Sequence, residues 1–342
     1  MIVDATLFKI FRAYSSLAPP KSLCIPSHVL FTELQEFFIS TLLLNPHFHQ
    51  YPPSVQYQKG FWKWAILAME NLLSEDEEID SRLYHHYLAT YEVHNQLPQS
   101  YVTYYWTPPS MNQSGSVNLD DLIRLTLLES RTVTESGTTG LRTWRASFVL
   151  ADYLLNNREF VQGKRILELG SGIGFLGTIV ATIQLQNPVP GSSLYLTDVD
   201  EQVLSRCQSN VALPCNASNL HPCIHFRALD WAMSMDNPAI CQGFLAESDA
   251  DVILGADIVF DPTLIPALIG MLRLYLSAPK RAFIAVTVRN VDTFALFINS
   301  VKDVNLAIDE IELLYQHVPF VELIDVDANN PVRVFQIMSR IS

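Results

Sequence analysis

Three carboxylates and a carboxyl–indole pair stand where apolar, strand-like runs end, and their spacing is the first sign of chemistry in this chain. Glu168 lies near the end of Arg165–Leu169. Asp198 closes Leu194–Thr197, Asp230-Trp231 follows Ile224–Ala228, and Asp257 follows Asp251–Ala256. In an open α/β sheet, ligands bind outside the carboxyl ends of the strands, so a charge placed there is expected to face a ligand rather than the core. Directly after the first of these runs comes Gly170-Ser-Gly172-Ile-Gly174-Phe-Leu-Gly177. Glycines at 170, 172 and 174 remove side chains where a ligand would approach the backbone, and Gly177 lets the next helix pack closely on the strand.

The glycines alone leave the ligand open, because Gly172-x-Gly174-x-x-Gly177 also fits the dinucleotide fingerprint and Asp198 suits ribose hydroxyls in either case. Glu168 discriminates. A carboxylate two residues before the first glycine would repel a pyrophosphate seated at the helix N-terminus. S-adenosylmethionine carries an ammonium, a carboxylate and a sulfonium but no phosphate, and tolerates that charge.

The elements that must position these residues alternate strand and helix. Helical segments are expected over Trp144–Leu155 (with Thr143 as its cap), Glu201–Leu213, Leu264–Leu276 and Asp292–Val301. Buried strands are expected at Asp251–Ala256 and Ala282–Val288, and Ala307–Leu314 with Val332–Met338 as a terminal antiparallel pair. Such alternation implies a mostly parallel sheet covered on both faces. Ahead of it, apolar residues recur at helical spacing around Leu7–Leu17, Phe31–Leu42, Trp62–Leu73 and Tyr84–Tyr91, which makes residues 1–98 a helical region. Gln99–Ser116, rich in Tyr, Pro and Ser, reads as a loop within a connecting segment 99–134, where Leu122–Leu128 and Ser130–Thr134 suggest either a short hairpin or an irregular approach to the next domain.

The 342 residues are 49% hydrophobic with a formal net charge of −13, which argues against broad binding of nucleic acid or anionic membrane. Five scattered cysteines without a C-x-x-C pair point to a reducing compartment. The first residues lack the pattern of a signal peptide and no run is long enough to span a membrane, so a cytoplasmic protein is expected. The sequons at Asn112 and Asn216 are read as chance matches. His221-Pro-Cys223-Ile-His225 places three ligand-type side chains on one face of a strand, without a fourth ligand, and no metal is expected. His47, His49, His85 and His86 are read as packing or surface residues.

ILELGSGIGFLG (Ile166–Gly177), the LTD ending at Asp198, the LDW ending at Trp231 and GAD-x-x-F (Gly255–Phe260) resemble the seven-β-strand S-adenosylmethionine methyltransferases. Within these they resemble the protein-lysine methyltransferases that modify chaperones and translation factors. SGTTGLRTW (Ser136–Trp144), FIAVTVRNVDTFALF (Phe283–Phe297) and HFHQYPPSVQYQKGFWKWAI (His47–Ile66) narrow the likeness to those acting on eukaryotic elongation factor 2. The resemblance implies a seven-stranded, mostly parallel Rossmann-like methyltransferase domain over 135–342, with S-adenosyl-L-methionine as cofactor and a lysine of elongation factor 2 as substrate. The cofactor contacts it implies are Trp144, Gly170, Ser171, Gly172, Asp198, Trp231 and Ala256, and the strand-end carboxylate Glu168 and the turn glycine Gly174 are expected beside them. Asp257 is read as orienting the substrate amine and Phe260, which replaces the family's tyrosine, as shaping the lysine channel. Two alternatives stay open on the residues: an NAD(P)-dependent oxidoreductase using the same glycine turn, and a non-catalytic module keeping the fold.

Overall fold

The computed structural model describes all residues except 1, 94–97, 109–114, 136, 277–279, 315–318, 321–329 and 341–342. Asn112 and Ser136 therefore lie outside the described residues. The chain divides into two compact units, Met1–Thr132 and Val133–Ser342.

The first unit contains β1 (Ile2–Asp4), α1 (Ala5–Ser15), α2 (Phe31–Glu36), α3 (Pro46–Gln50), α4 (Val55–Glu70), α5 (Ser81–Glu92), β2 (Gln99–Trp106), β3 (Ser116–Asn118) and β4 (Ile123–Ser130). The carboxylate of Asp4 caps α1 by accepting from the Thr6 N–H at 2.7 Å, and Ser54 caps α4 in the same way through Tyr57. Past α2 the helix runs on as a π-helical stretch, Phe37–Leu43. The core is aromatic: Phe38, Phe61 and Trp62 are fully enclosed, and the rings of Tyr14 and Phe61 lie 4.6 Å apart. His47 belongs to this packing. Its Nε2 is 3.0 Å from the hydroxyl of Thr103 and 3.1 Å from that of Thr126, and burial lowers its pKa to about 4, so the ring is neutral.

One expectation fails in this unit. Gln99–Trp106 is no loop but a strand, paired antiparallel with β4 from Gln99↔Ser130 to Trp106↔Ile123. Its Tyr, Val, Thr and Trp residues favour a half-buried pleated surface, and the turn-forming Pro and Ser residues lie beyond it. Ile123–Ser130 consequently pairs with β2 and not with Ser130–Thr134.

The second unit is a seven-stranded sheet built from β5 (Arg165–Leu169), β6 (Ser193–Asp198), β7 (Ile224–Ala228), β8 (Val252–Ala256), β9 (Arg281–Thr287), β10 (Leu306–Glu310) and β11 (Val332–Ser339). The strand order is β10-β11-β9-β8-β5-β6-β7, and β11 runs antiparallel to both its neighbours while the other six strands point the same way. Among the described residues seven α-helices accompany the sheet: α6 (Arg145–Asn156), α7 (Phe175–Gln186), α8 (Glu201–Val211), α9 (Met233–Asp236), α10 (Pro238–Ser248), α11 (Ile265–Tyr275) and α12 (Val291–Asp303). On one face Leu167, Leu169, Ile253 and Ile284 pack with Leu245, Leu268, Leu272 and Phe297 from α10, α11 and α12. Side chains alternate along a strand, so Ile166 and Glu168 of β5 must point to the opposite face, where α7 lies.

Candidate functional site

A cavity of about 750 Å³ opens at the carboxyl ends of the parallel strands. That is within the usual range for a small-molecule site. Its floor is the turn between β5 and α7. Ser171 donates its N–H to the Thr197 carbonyl at 2.7 Å and its hydroxyl accepts from the Thr197 N–H at 3.0 Å, which ties the turn to β6. The Gly172 N–H donates to the Asp198 carboxylate at 3.2 Å, and the Asp200 N–H donates to it at 3.1 Å. Burial raises the pKa of Asp198 against the pull of those two donors. Gly172 has φ +53°, and a Cβ there would stand 3.2 Å from the Gly140 carbonyl oxygen. Glycine is therefore favoured by conformation, and the neighbouring loop leaves a side chain little space.

Two residues expected at the cofactor lie elsewhere. Gly174 and Glu168 are absent from the cavity wall, whereas Trp144, Gly170, Ser171, Gly172, Asp198, Trp231, Ala256, Asp257 and Phe260 line it. Gly174 serves packing: at φ +90° its Cβ would meet the Cys207 Sγ of α8 at 2.8 Å. Glu168 is a correction of direction. It is 3% exposed and its Oε2 would lie 3.0 Å from a Cβ on Gly177, so the carboxyl sits under α7 and not in the ligand space. Burial, with the nearby Asp198 charge adding to it, pushes its pKa up to about 8, and the group is largely protonated at neutral pH. The strand turns Glu168 away because Leu167 and Leu169 claim the other face.

Asp257 lines the cavity but offers it no free oxygen. Its carboxylate accepts from the Thr287 N–H and the Thr287 hydroxyl, both at 3.0 Å, and from the Ala146 N–H at 3.3 Å. Arg289 completes the set with two bonds of 3.3 and 3.2 Å, one to each oxygen. The backbone at Asp257 is left-handed, with φ 56°, in a residue that ends a strand rather than a helix. Strain of this kind persists only where surrounding bonds over-determine it. The bond to Ala146 also revises the capping expectation. Trp144 holds the N-cap position of α6 with no side-chain cap, and the acceptor comes from Asp257, 111 residues away. A carboxylate at a helix N-terminus meets the favourable end of the dipole.

Trp144 hydrogen-bonds through its indole N–H to the Thr139 carbonyl at 3.0 Å and carries the Arg289 guanidinium 5.0 Å from its ring. Trp231 packs near Gly170, and Phe260 is 55% exposed at the rim. Arg142 and Arg289 also line the cavity and were not among the expected site residues. The Nε of Arg142 is buried without a hydrogen-bond partner. Arg142 lies in SGTTGLRTW and Arg289 just past β9, so their place at strand and helix ends was the available signal.

At the amino ends of β5, β6 and β7 a second cavity, of about 610 Å³, is lined by His221, Cys223 and His225 among others. His221 bonds to Gln184 at 2.9 Å and the Cys223 Sγ lies 3.3 Å from the His225 Nε2. Among the described residues no group of three His, Cys, Asp or Glu side chains is placed to hold a metal ion.

Residues 124–303, just over half of the chain, match the family model described as lysine methyltransferase. The chain belongs to this lysine methyltransferase family. It is 33% identical to protein-lysine N-methyltransferase EFM3 of Chaetomium thermophilum over 58% of this chain and 55% of that one, so the match takes in about half of that relative's length. It is 29% identical to protein-lysine N-methyltransferase EEF2KMT of Homo sapiens over 78% of this chain and 76% of that one. The Bos taurus protein of the same name is 26% identical over 82% and 81% of the two chains.

S-adenosylmethionine is the cofactor of such a lysine methyltransferase, and the residues present fit it. A Cβ at Gly172 would crowd the Gly140 carbonyl at 3.2 Å, Asp198 offers an acceptor at the end of β6, and the buried Arg142 Nε is an unmet donor suited to a carboxylate. No phosphate-binding group is needed for this ligand, and acidic Asp198, Asp200 and Asp230 on the wall are unsuited to one.

Proposed function

We propose that this protein transfers methyl groups from S-adenosylmethionine to a lysine side chain of a protein substrate, eukaryotic elongation factor 2. The observation that carries the reaction class is the lysine methyltransferase match together with the Gly172–Asp198 cradle at the strand ends. The narrower substrate rests on the Ser136–Trp144 and Phe283–Phe297 segments and on the similarity to relatives named EEF2KMT. The same reading places the protein in the cytoplasm with its substrate. Among the described residues no helix is long and apolar enough to cross a membrane.

In this reading Gly170–Gly172, Asp198, Trp231, Trp144 and Ala256 hold the cofactor, which when bound supplies an electrophilic methyl group. Asp198 accepts from ribose hydroxyls and Trp231 offers a face for adenine. The protein's part in the chemistry is positioning, since in-line attack needs the amine held close and aligned. The amine must also be neutral, against a reference pKa of about 10.4. Phe260 gives it an apolar wall, and desolvation against it disfavours the ammonium. Phe260 has no hydroxyl to accept the proton. Asp257 acts as a framework residue, joining α6, β9 and Arg289 beside the cavity.

The test is transfer from radiolabelled S-adenosylmethionine to elongation factor 2 purified from a bacterial host, followed by mass spectrometry of the labelled peptide. Label on one lysine is the expected result. Label on arginine or histidine, or none, overturns the reading.

A further inference from the structure

We propose that Arg289 sets the protonation state of the incoming lysine by closing Asp257 into a neutral ion pair at the cavity wall. The inference rests on the reading of this cavity as a lysine methyltransferase site. It starts from a conflict: an acidic residue on the wall would stabilise the ammonium form of a lysine, which cannot attack a methyl group. The structure resolves the conflict with Arg289. Its two nitrogens reach the two oxygens of Asp257, a fork-to-fork arrangement that monodentate lysine could not reproduce. The remaining lone pairs of the carboxylate go to Thr287 and to the N-terminus of α6. Asp257 is 4% exposed at its side chain and Arg289 39%, so the cation covers the side of the pair that solvent and substrate can reach. The bonds from Thr287 and Ala146, which hold Asp257 at its strained φ, and the stacking of Arg289 on Trp144 keep both partners in place.

The other charged groups on the wall are Arg142, Asp198, Asp200 and Asp230. Asp198 is committed to Gly172 and Asp200, and Asp200 itself caps α8 through Gln202. Asp230 bonds the Ala232 N–H on the adenine side of the proposed cofactor seat. Asp261, next to Phe260 in the chain, is not on the wall and accepts from the Thr263 N–H and hydroxyl; Asp257 is the wall carboxylate closest to Phe260 in the chain, and Arg289 is its sole cationic partner among the described residues. Arg289 is a positioning residue that acts through Asp257.

The experiment measures kcat and KM against pH, with bacterially produced elongation factor 2 as the probe, for the full-length protein and three variants. Arg289→Gln frees the charge of Asp257. The acid limb of kcat then moves up by about one pH unit, activity drops roughly tenfold at pH 7 and recovers by pH 9, and KM falls. Elongation factor 2 also binds this variant more tightly at pH 7 in the presence of S-adenosylhomocysteine, a readout independent of turnover. Asp257→Asn leaves an unopposed cation and moves the limb the other way, which keeps the proposal testable should Arg289→Gln not fold. The double variant Asp257→Asn/Arg289→Gln restores neutrality and returns the limb to its original place. Equal loss at pH 7 and pH 9 in Arg289→Gln, or limbs that do not move in opposite directions, overturns the role of Arg289 while the reaction stands. A parent protein that labels no lysine overturns both.

Discussion

The two ends of one parallel sheet in this molecule carry cavities of similar size, about 750 and 610 Å³, and they are built differently. At the carboxyl ends, the bonds run between elements far apart in sequence: Gly172 to Asp198, Ala146 to Asp257, Thr287 and Arg289 to Asp257. At the amino ends the bonds also cross the chain, Arg165 reaching Asp249 and Asp251 and His221 reaching Gln184, but the charged groups there stand largely in solvent. Each end also has a non-glycine residue with positive φ. Asp249, at φ 34°, ends α10 in the left-handed conformation common at helix C-termini. Asp257 ends no helix, and its conformation is held by five hydrogen bonds to its side chain and by one from its backbone N–H to the Ala285 carbonyl. Volume does not distinguish a site from a crevice here. Burial of the convergent charge does: the Asp257 side chain is 4% exposed, against 36% for Asp251 and 57% for Asp249.

Removing the convergent carboxylate is expected to have the largest effect. Asp257→Ala strands the Ala146 and Thr287 donors and the Arg289 guanidinium, and destabilises the protein by about 2–4 kcal/mol in a denaturant titration. His225→Ala at the other end costs less than about 1 kcal/mol in the same assay. Comparable losses from both would erase the contrast.

Glycine substitutions probe the same difference through binding. Gly172→Ala has φ +53° and meets the Gly140 carbonyl, so S-adenosylhomocysteine affinity falls about tenfold by calorimetry. Gly191→Ala has φ +87° at the other cavity with nothing within 4 Å, so it is strained too, yet it leaves that affinity unchanged. A matching loss at Gly191 would show that general strain, not the cradle, controls binding.

Glu168 gives a pH signature. Its folded pKa of about 8 is raised above the ordinary 4.5, so its contribution to stability is full below 4.5 and is lost as pH rises through 8. The loss is at most about 1.4 kcal/mol per pH unit. Glu168→Gln flattens the stability profile between pH 5 and 8; an unchanged slope would mean that Glu168 is ionised in place. The smallest effect is expected at the rim, where Phe260 is 55% exposed: Phe260→Tyr changes kcat less than about threefold and stability by under about 0.5 kcal/mol. A large gain in kcat would assign the missing hydroxyl a part in the reaction.

The sheet of the second unit was legible in the sequence because its buried strands are short apolar runs between glycines and acidic residues, as at Arg165–Leu169 and Val252–Ala256. In the first unit Gln99–Trp106 was hidden, since the Pro and Ser residues beyond it outweighed its own β-favouring side chains. Within the site, Asp198 and Gly172 stood out because strand-end position alone identifies them. Glu168 misled: a charge near a strand end looks ligand-directed, but alternation with Leu167 and Leu169 sends it under α7. The cap of α6 was invisible for another reason. Local reading searches the residues next to the helix for an acceptor, and here it arrives from Asp257 through the sheet.

The most direct test of the central claim is titration calorimetry of S-adenosylhomocysteine and of NADH into the full-length protein, Asp198→Ala and His225→Ala. S-adenosylhomocysteine should bind the parent protein and His225→Ala alike and lose about tenfold or more in Asp198→Ala, with no heat from NADH. Binding of NADH instead, or S-adenosylhomocysteine binding that survives in Asp198→Ala and fails in His225→Ala, would contradict a cofactor seat at the carboxyl ends of the strands.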